Sequence, residues 1–73
     1  MTREDLEEVV NNLRNAGNTD EEIGKATTLL YLDGEMSIND FERIVNILGY
    51  VIDDEFKNMT RAEQRRLFFE GRN

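Results

Sequence analysis

The chain has 73 residues, a formal charge of −7 and neither cysteine nor histidine. Disulfides, thiolate or imidazole metal sites, cysteine nucleophiles and the commonest general base are thereby excluded. A chain of this size forms one domain, residues 1–73, with no room for a separate catalytic unit. The charge is unevenly placed: fourteen carboxylates face four bases up to Phe56, whereas two face five from Lys57 onward. Such a field governs the choice of partner rather than the fold. No apolar run approaches the roughly 18 residues of a membrane span, and the opening Thr2-Arg3-Glu4-Asp5 is unlike a secretory signal, so a cytoplasmic protein is expected.

One local pattern occurs four times: a threonine or serine, an acid three residues later, then apolar residues at helical spacing. It appears at Thr2…Asp5, Thr19…Glu22, Ser37…Asp40 and Thr60…Glu63. Each hydroxyl can accept from a first-turn amide while the acid reaches back to the cap's own N–H, and the acid also complements the helix dipole. The first predicted helix runs from Arg3 to about Asn15, with Leu6, Val9, Val10 and Leu13 on one stripe and Gly17 as its terminator. Glu4, Glu7, Glu8, Asn11 and Asn12 form its other face. The second runs from Asp20 to about Leu32, with Ile23, Ala26, Leu29 and Leu30 expected inward and Asp33-Gly34 closing it. Gly24 inside it costs about 1 kcal/mol relative to alanine, implying either a close helix crossing or a locally weak helix.

The third predicted helix, Ile38 to Leu48, is apolar over about half its circumference through Ile38, Phe41, Ile44, Val45, Ile47 and Leu48, and is expected to be the hub. Gly49 ends it. Tyr50-Val51-Ile52 is β-branched and aromatic and is expected to run extended over the core, followed by a short turn from Asp53 through Phe56. The fourth helix, Arg61 to about Glu70, carries Ala62, Leu67, Phe68 and Phe69. These elements give an all-α fold, a small bundle of three main helices plus a C-terminal fourth.

Asp33-Gly34-Glu35-Met36-Ser37-Ile38-Asn39-Asp40-Phe41 resembles the second half of an EF-hand loop. With Gly34 at the sixth position, however, Leu29 and Tyr31 occupy the first and third, where calcium requires oxygen donors. A helix-to-helix turn is therefore expected, with no metal and no cofactor. The paired acids Glu7-Glu8, Asp20-Glu21-Glu22 and Asp53-Asp54-Glu55 lie at polar helix positions or helix starts, so a non-enzymatic protein is expected. As a helix-turn-helix, the second and third helices would present Asp40 and Glu42 to phosphate with only Arg43 in support, and this reading fails on charge.

Three surfaces remain as candidates. Glu4 and Glu8, four apart on one helix, place charges roughly 6 Å apart, comparable with successive backbone phosphates, and with Glu7 and the neighbouring helix start at Asp20 and Glu21 they could imitate a phosphate track. Lys57, Arg61, Arg65, Arg66 and Arg72 make the last helix basic, facing either the acidic body or a partner. Leu67-Phe68-Phe69 cannot all face one core from one helix, so part of that surface is either covered by Tyr50–Ile52 or offered to another chain.

Short capped helices, strong acidity, no cysteine and the segment Leu48-Gly49-Tyr50-Val51-Ile52-Asp53-Asp54-Glu55-Phe56-Lys57 are together similar in type to small phage and mobile-element proteins such as anti-CRISPR-type inhibitors. Those inhibitors share no common fold, so no residue role carries over. The resemblance implies a non-catalytic inhibitor that binds a host nucleoprotein complex, often at its nucleic-acid site, in a host cytoplasm if phage-encoded. The leading expectation is thus an acidic protein-binding module, an inhibitor of a nucleic-acid-processing complex with a nucleic-acid-mimicking face. A homodimeric structural or regulatory domain associating through the last helix is the alternative, and a weak nucleic-acid binder using Arg61 and Arg65 is the third. Glu4, Glu7, Glu8, Asp20, Glu21, Arg61, Arg65, Phe68 and Phe69 are the candidate contact residues.

Overall fold

Thr2, Thr19, Ser37 and Thr60 each stand immediately before a helix. The computed structural model describes residues 2–70, comprising α1 (Arg3–Asn15), α2 (Asp20–Leu32), α3 (Ile38–Ile47), α4 (Asp54–Asn58) and α5 (Arg61–Glu70), with no strand among those residues. The sequence reading counts four helices; the segment after Asp53, expected as a turn through Phe56, is instead the five-residue α4. Arg72, counted with the basic helix, lies outside the described residues.

Full reciprocal capping boxes form at α1, α2 and α5. The Thr19 and Thr60 N–H groups donate to Glu22 at 2.9 Å and to Glu63 at 3.0 Å, while Thr2 reaches the shorter Asp5 at 3.3 Å. At α3 the Ser37 hydroxyl accepts from the Asp40 N–H at 3.1 Å without the full box. α2 ends in a pair of crossed bonds, Gly34 N–H to Tyr31 O at 3.1 Å and Glu35 N–H to Leu30 O at 2.9 Å. This Schellman geometry requires the left-handed φ of +82° that Gly34 adopts, and the same pairing recurs at Gly17 and Gly49.

α3 is the hub, packing on both α1 and α2. Two apolar clusters meet along it: Leu6, Val10, Ile23, Ile44 and Leu48 on one side, and Tyr31, Leu32, Phe41 and Ile52 on the other, with Met36 touching both. Tyr31 and Phe41 stack nearly parallel at 4.7 Å between ring centroids. Of the Tyr50–Ile52 segment only Ile52 reaches the core, while Tyr50 and Val51 are 64% and 83% exposed.

The inward face of α2 differs from the expected one. Ile23 is buried as predicted, but Thr27, Tyr31 and Leu32 accompany it, while Ala26, Leu29 and Leu30 are exposed. This face can be buried because both of its polar groups are satisfied, one within the helix and one across to α5. The Thr27 hydroxyl donates to Ile23 O at 2.7 Å, and the Tyr31 hydroxyl finds a partner on α5, so neither carries the penalty of an unbonded buried polar atom. Val9 and Leu13, expected on the inward stripe of α1, are only part-covered at 37% exposure each, and Leu6 and Val10 do the burying.

Candidate functional site

The acidic candidates divide by their neighbours. Glu7 accepts from Arg3 at 3.1 Å, one turn before it, and Glu21 pairs with Lys25 at 3.1 Å, one turn after it. Asp20 receives two guanidinium bonds from Arg14, at 2.8 and 3.1 Å, tying the end of α1 to the start of α2. The Arg14 guanidinium beside it holds the Asp20 carboxyl below the ordinary carboxylate range, and Arg14 is raised in turn. Glu4 and Glu8 are exposed and have no ion-pair partner among the described residues. Of these five acids Glu4 and Glu8 stand open, near the start of α1, whereas Glu7, Asp20 and Glu21 are each paired with a base and Asp20 and Glu21 lie by the other end of that helix. At the helix starts, the Thr19 and Thr60 N–H groups hold Glu22 and Glu63 below the usual carboxylate range.

The basic candidates turn inward. α2 has no basic residue in its last turn, and its C-terminal carbonyls are satisfied from α5 instead. The Arg61 guanidinium donates to Tyr31 O at 2.8 Å and lies over the Tyr31 ring at 4.4 Å from its centroid. Arg65 donates to Leu32 O at 3.2 Å and to Asp33 Oδ1 at 3.3 Å. Two positive charges therefore sit at the negative end of the α2 dipole, where cations are stabilising. Lys57 is bonded to Glu42 of α3, which raises its pKa. Of the two orientations open to the basic helix, Arg61, Arg65 and Lys57 adopt the one facing the protein's own body.

Phe68 and Phe69 separate. Phe68 is half-buried against the Tyr31–Phe41–Ile52 cluster, whereas Leu67 and Phe69 are 50% and 48% exposed. Phe69 meets the Phe68 ring edge-on at 5.1 Å, with Arg65 5.8 Å from its centroid. Ala62, expected on the apolar stripe of this helix, is exposed, and the fully buried residue of α5 is Gln64 at 2% exposure. The Gln64 amide accepts from the Tyr31 hydroxyl at 2.7 Å and donates to Phe56 O at 2.7 Å, joining α2, α4 and α5. Sequence reasoning missed this residue. The available signal was its position one turn before Phe68, which places it on the inward face.

Among the described residues no group of three His, Cys, Asp or Glu side chains is placed to hold a metal ion. No helix among them is long and apolar enough to cross a membrane. No family model, no curated protein and no solved structure matches this chain.

Proposed function

We propose that the protein is a non-enzymatic binding module whose acidic face, Glu4, Glu7 and Glu8 of α1 with Asp20 and Glu21 of α2, engages a basic surface on a protein partner. The groove in which a nucleic-acid-processing complex grips a phosphate backbone is the leading case, which makes the protein an inhibitor that mimics nucleic acid. The observation that carries the reading is the inward turn of Arg61, Arg65 and Lys57, which leaves Glu4 and Glu8 open on α1 while the strongest cations are engaged elsewhere. Open acids one helical turn apart, on a body of net charge −7, favour approach to a basic groove and speed the encounter at low salt.

The test is competition with a labelled nucleic acid for the isolated candidate complex, across a salt series. The expected result is displacement that weakens with salt, together with an affinity loss of at least about tenfold, or 1.4 kcal/mol, when Glu4, Glu7 and Glu8 are all changed to glutamine. Unchanged affinity in that variant would exclude the α1 face.

A second reading is favoured by the exposure of Leu67 and Phe69 on α5, which a homodimer formed through this helix would cover. It predicts a dimer in sedimentation that dissociates on Phe69→Glu, and a monomer at high concentration would remove it. Direct nucleic-acid binding through the basic helix draws no support from guanidinium groups already bonded to the carbonyls of α2.

A further inference from the structure

A groove runs between α2, α3 and α5. It consists of two hollows of about 380 and 360 Å³, both walled by Thr28, Val45 and Phe68. The first extends to Gly24, Leu48 and Tyr50, and the second to Ile52, Phe56 and Leu67. Charged groups line it only at its ends: Asp20, Glu21 and Lys25 at one, and Asp53 at the other. Lys25 is bonded to Glu21, while Asp54 and Glu55 follow Asp53 in the first turn of α4. At the first end Arg14 likewise pairs with Asp20, so the result is an aliphatic and aromatic trough whose acidic excess lies at the Asp53 end.

Gly24 gives this trough its meaning. A glycine inside a helix is unfavourable by about 1 kcal/mol relative to alanine, and is ordinarily explained by a positive φ or a close crossing. Neither applies. The left-handed glycines are Gly17, Gly34 and Gly49, and a Cβ built on Gly24 would meet only Leu48 Cδ1 at 3.8 Å, an ordinary contact. The backbone and the packing of the chain would both accept a side chain at position 24. What a larger side chain there would do is fill the first hollow.

We propose that this groove is the docking site for a basic amphipathic helix of another protein. Its apolar side chains, one turn or two apart, fill the two hollows, and its Lys or Arg residues face Asp53 and the Asp54 and Glu55 that follow it. A second copy of this chain is the poorer occupant, because it would bring another net −7 and the same acidic end, and like charges across an interface oppose association. The groove shares Asp20 and Glu21 with the proposed acidic face but not Glu4, Glu7 or Glu8, so the α1 glutamine variant and the groove variants test the two surfaces apart.

The experiment titrates the isotope-labelled full chain with a synthetic helical peptide bearing leucines at positions i and i+4 and lysines on both flanks. Amide shifts should centre on Gly24, Thr28 and Val45. Gly24→Leu, with a thermal midpoint at or above that of the parent, should weaken the peptide at least about tenfold, as should exchanging its lysines for glutamates. Thr28→Leu serves as the second blocking variant if Gly24→Leu perturbs the fold. Shifts confined to α1, no shift at saturating peptide, or full affinity in both blocking variants would overturn the proposal. Concentration-dependent shifts at Thr28 and Val45 without peptide would overturn it too, by showing that a second copy covers the groove.

Discussion

Tyr31→Phe is the sharpest probe of how the C-terminal helix is attached. The substitution keeps the ring, and with it the stacking on Phe41 at 4.7 Å, and removes only the hydroxyl that donates to Gln64 at 2.7 Å. The Gln64 carbonyl oxygen cannot rotate to find another donor. Its amide nitrogen is held against Phe56 O, which only accepts, so a flipped amide would set two acceptors against each other. Gln64 is 2% exposed, so Tyr31→Phe strands a buried acceptor at an expected cost of about 1–3 kcal/mol. Against a total stability of roughly 4–11 kcal/mol for a domain of this size, that is a large fraction. It should lower the thermal midpoint by about 4–8 °C for each kcal/mol. Gln64→Leu should cost more, because it strips partners from both the Tyr31 hydroxyl and Phe56 O. In that background, adding Tyr31→Phe should be nearly neutral or stabilising, giving a coupling of about 1–3 kcal/mol in a double-mutant cycle. Urea unfolding followed by circular dichroism measures all four corners, and hydrogen exchange of the α5 amides reports whether the loss is local. A Tyr31→Phe variant within about 0.3 kcal/mol of the parent, with additive effects in the cycle, would refute the reasoning.

Gly24→Ala should raise stability by about 0.5–1 kcal/mol, since the new methyl meets only Leu48 Cδ1 at an ordinary distance; a decrease in the urea midpoint would contradict this. Arg61→Met, which keeps the aliphatic stem, should cost about 1–2 kcal/mol through the lost bond to Tyr31 O and the lost cation over its ring, and Arg61→Lys should recover only part of it. Equal stability of the three proteins in urea would show that the guanidinium contributes nothing. Phe68→Glu should destabilise the fold, because that ring packs on the Tyr31–Phe41–Ile52 cluster, while Phe69→Glu should leave the thermal midpoint nearly unchanged. The reverse order would exchange the two rings' roles. Asp20, Glu22 and Glu63 have folded pKa values held below their unfolded ones, so their stabilisation is complete above the unfolded values of about 4 and is lost as pH falls through the folded ones. The stability difference between the parent and Glu63→Gln should therefore shrink between about pH 6 and about pH 3, and a pH-independent difference would count against the capping interaction.

Most of the helical framework was legible because its signals are local. A hydroxyl followed three residues later by an acid sets a helix start from neighbouring atoms alone, and Gly34 after Asp33 sets a stop in the same way. The hub was legible from the breadth of apolar positions around α3. The inward face of α2 was not, because Thr27 and Tyr31 score as polar until their partners are known: Ile23 O, one turn away, and Gln64, 33 residues on. Gln64 shares the inward face of α5 with Phe68, one turn on, but nothing local marks its polar amide for burial. Its burial depends on two acceptor and donor groups contributed by other helices. The same holds for Arg61 and, apart from its bond to Asp33, for Arg65, which grip backbone carbonyls, groups that every residue carries and that no side-chain pattern distinguishes. Of the candidate surfaces, the acidic positions on α1 were readable as an outward face from periodicity alone, whereas the groove arises from three helices and has no signature in any one of them.

The attachment of α5 also dictates an order of assembly. Its polar grips, Arg61 and Arg65 on the end of α2 and Gln64 between Tyr31 and Phe56, are sites that exist only once α2 has ended and α4 has formed. α5 can therefore complete these grips only when its partners on α2 and α4 are in position. During synthesis, α1 to α3 can pack around Leu6, Val10, Ile23, Ile44 and Leu48 before α5 is made, while the Phe41 and Ile52 side of the core lacks its Phe68 cover until Arg61–Glu70 has been made. For that interval the nascent chain displays an apolar face that the finished protein keeps half-covered by Phe68, and it is then that the chain is most open to a chaperone, a protease or a premature partner.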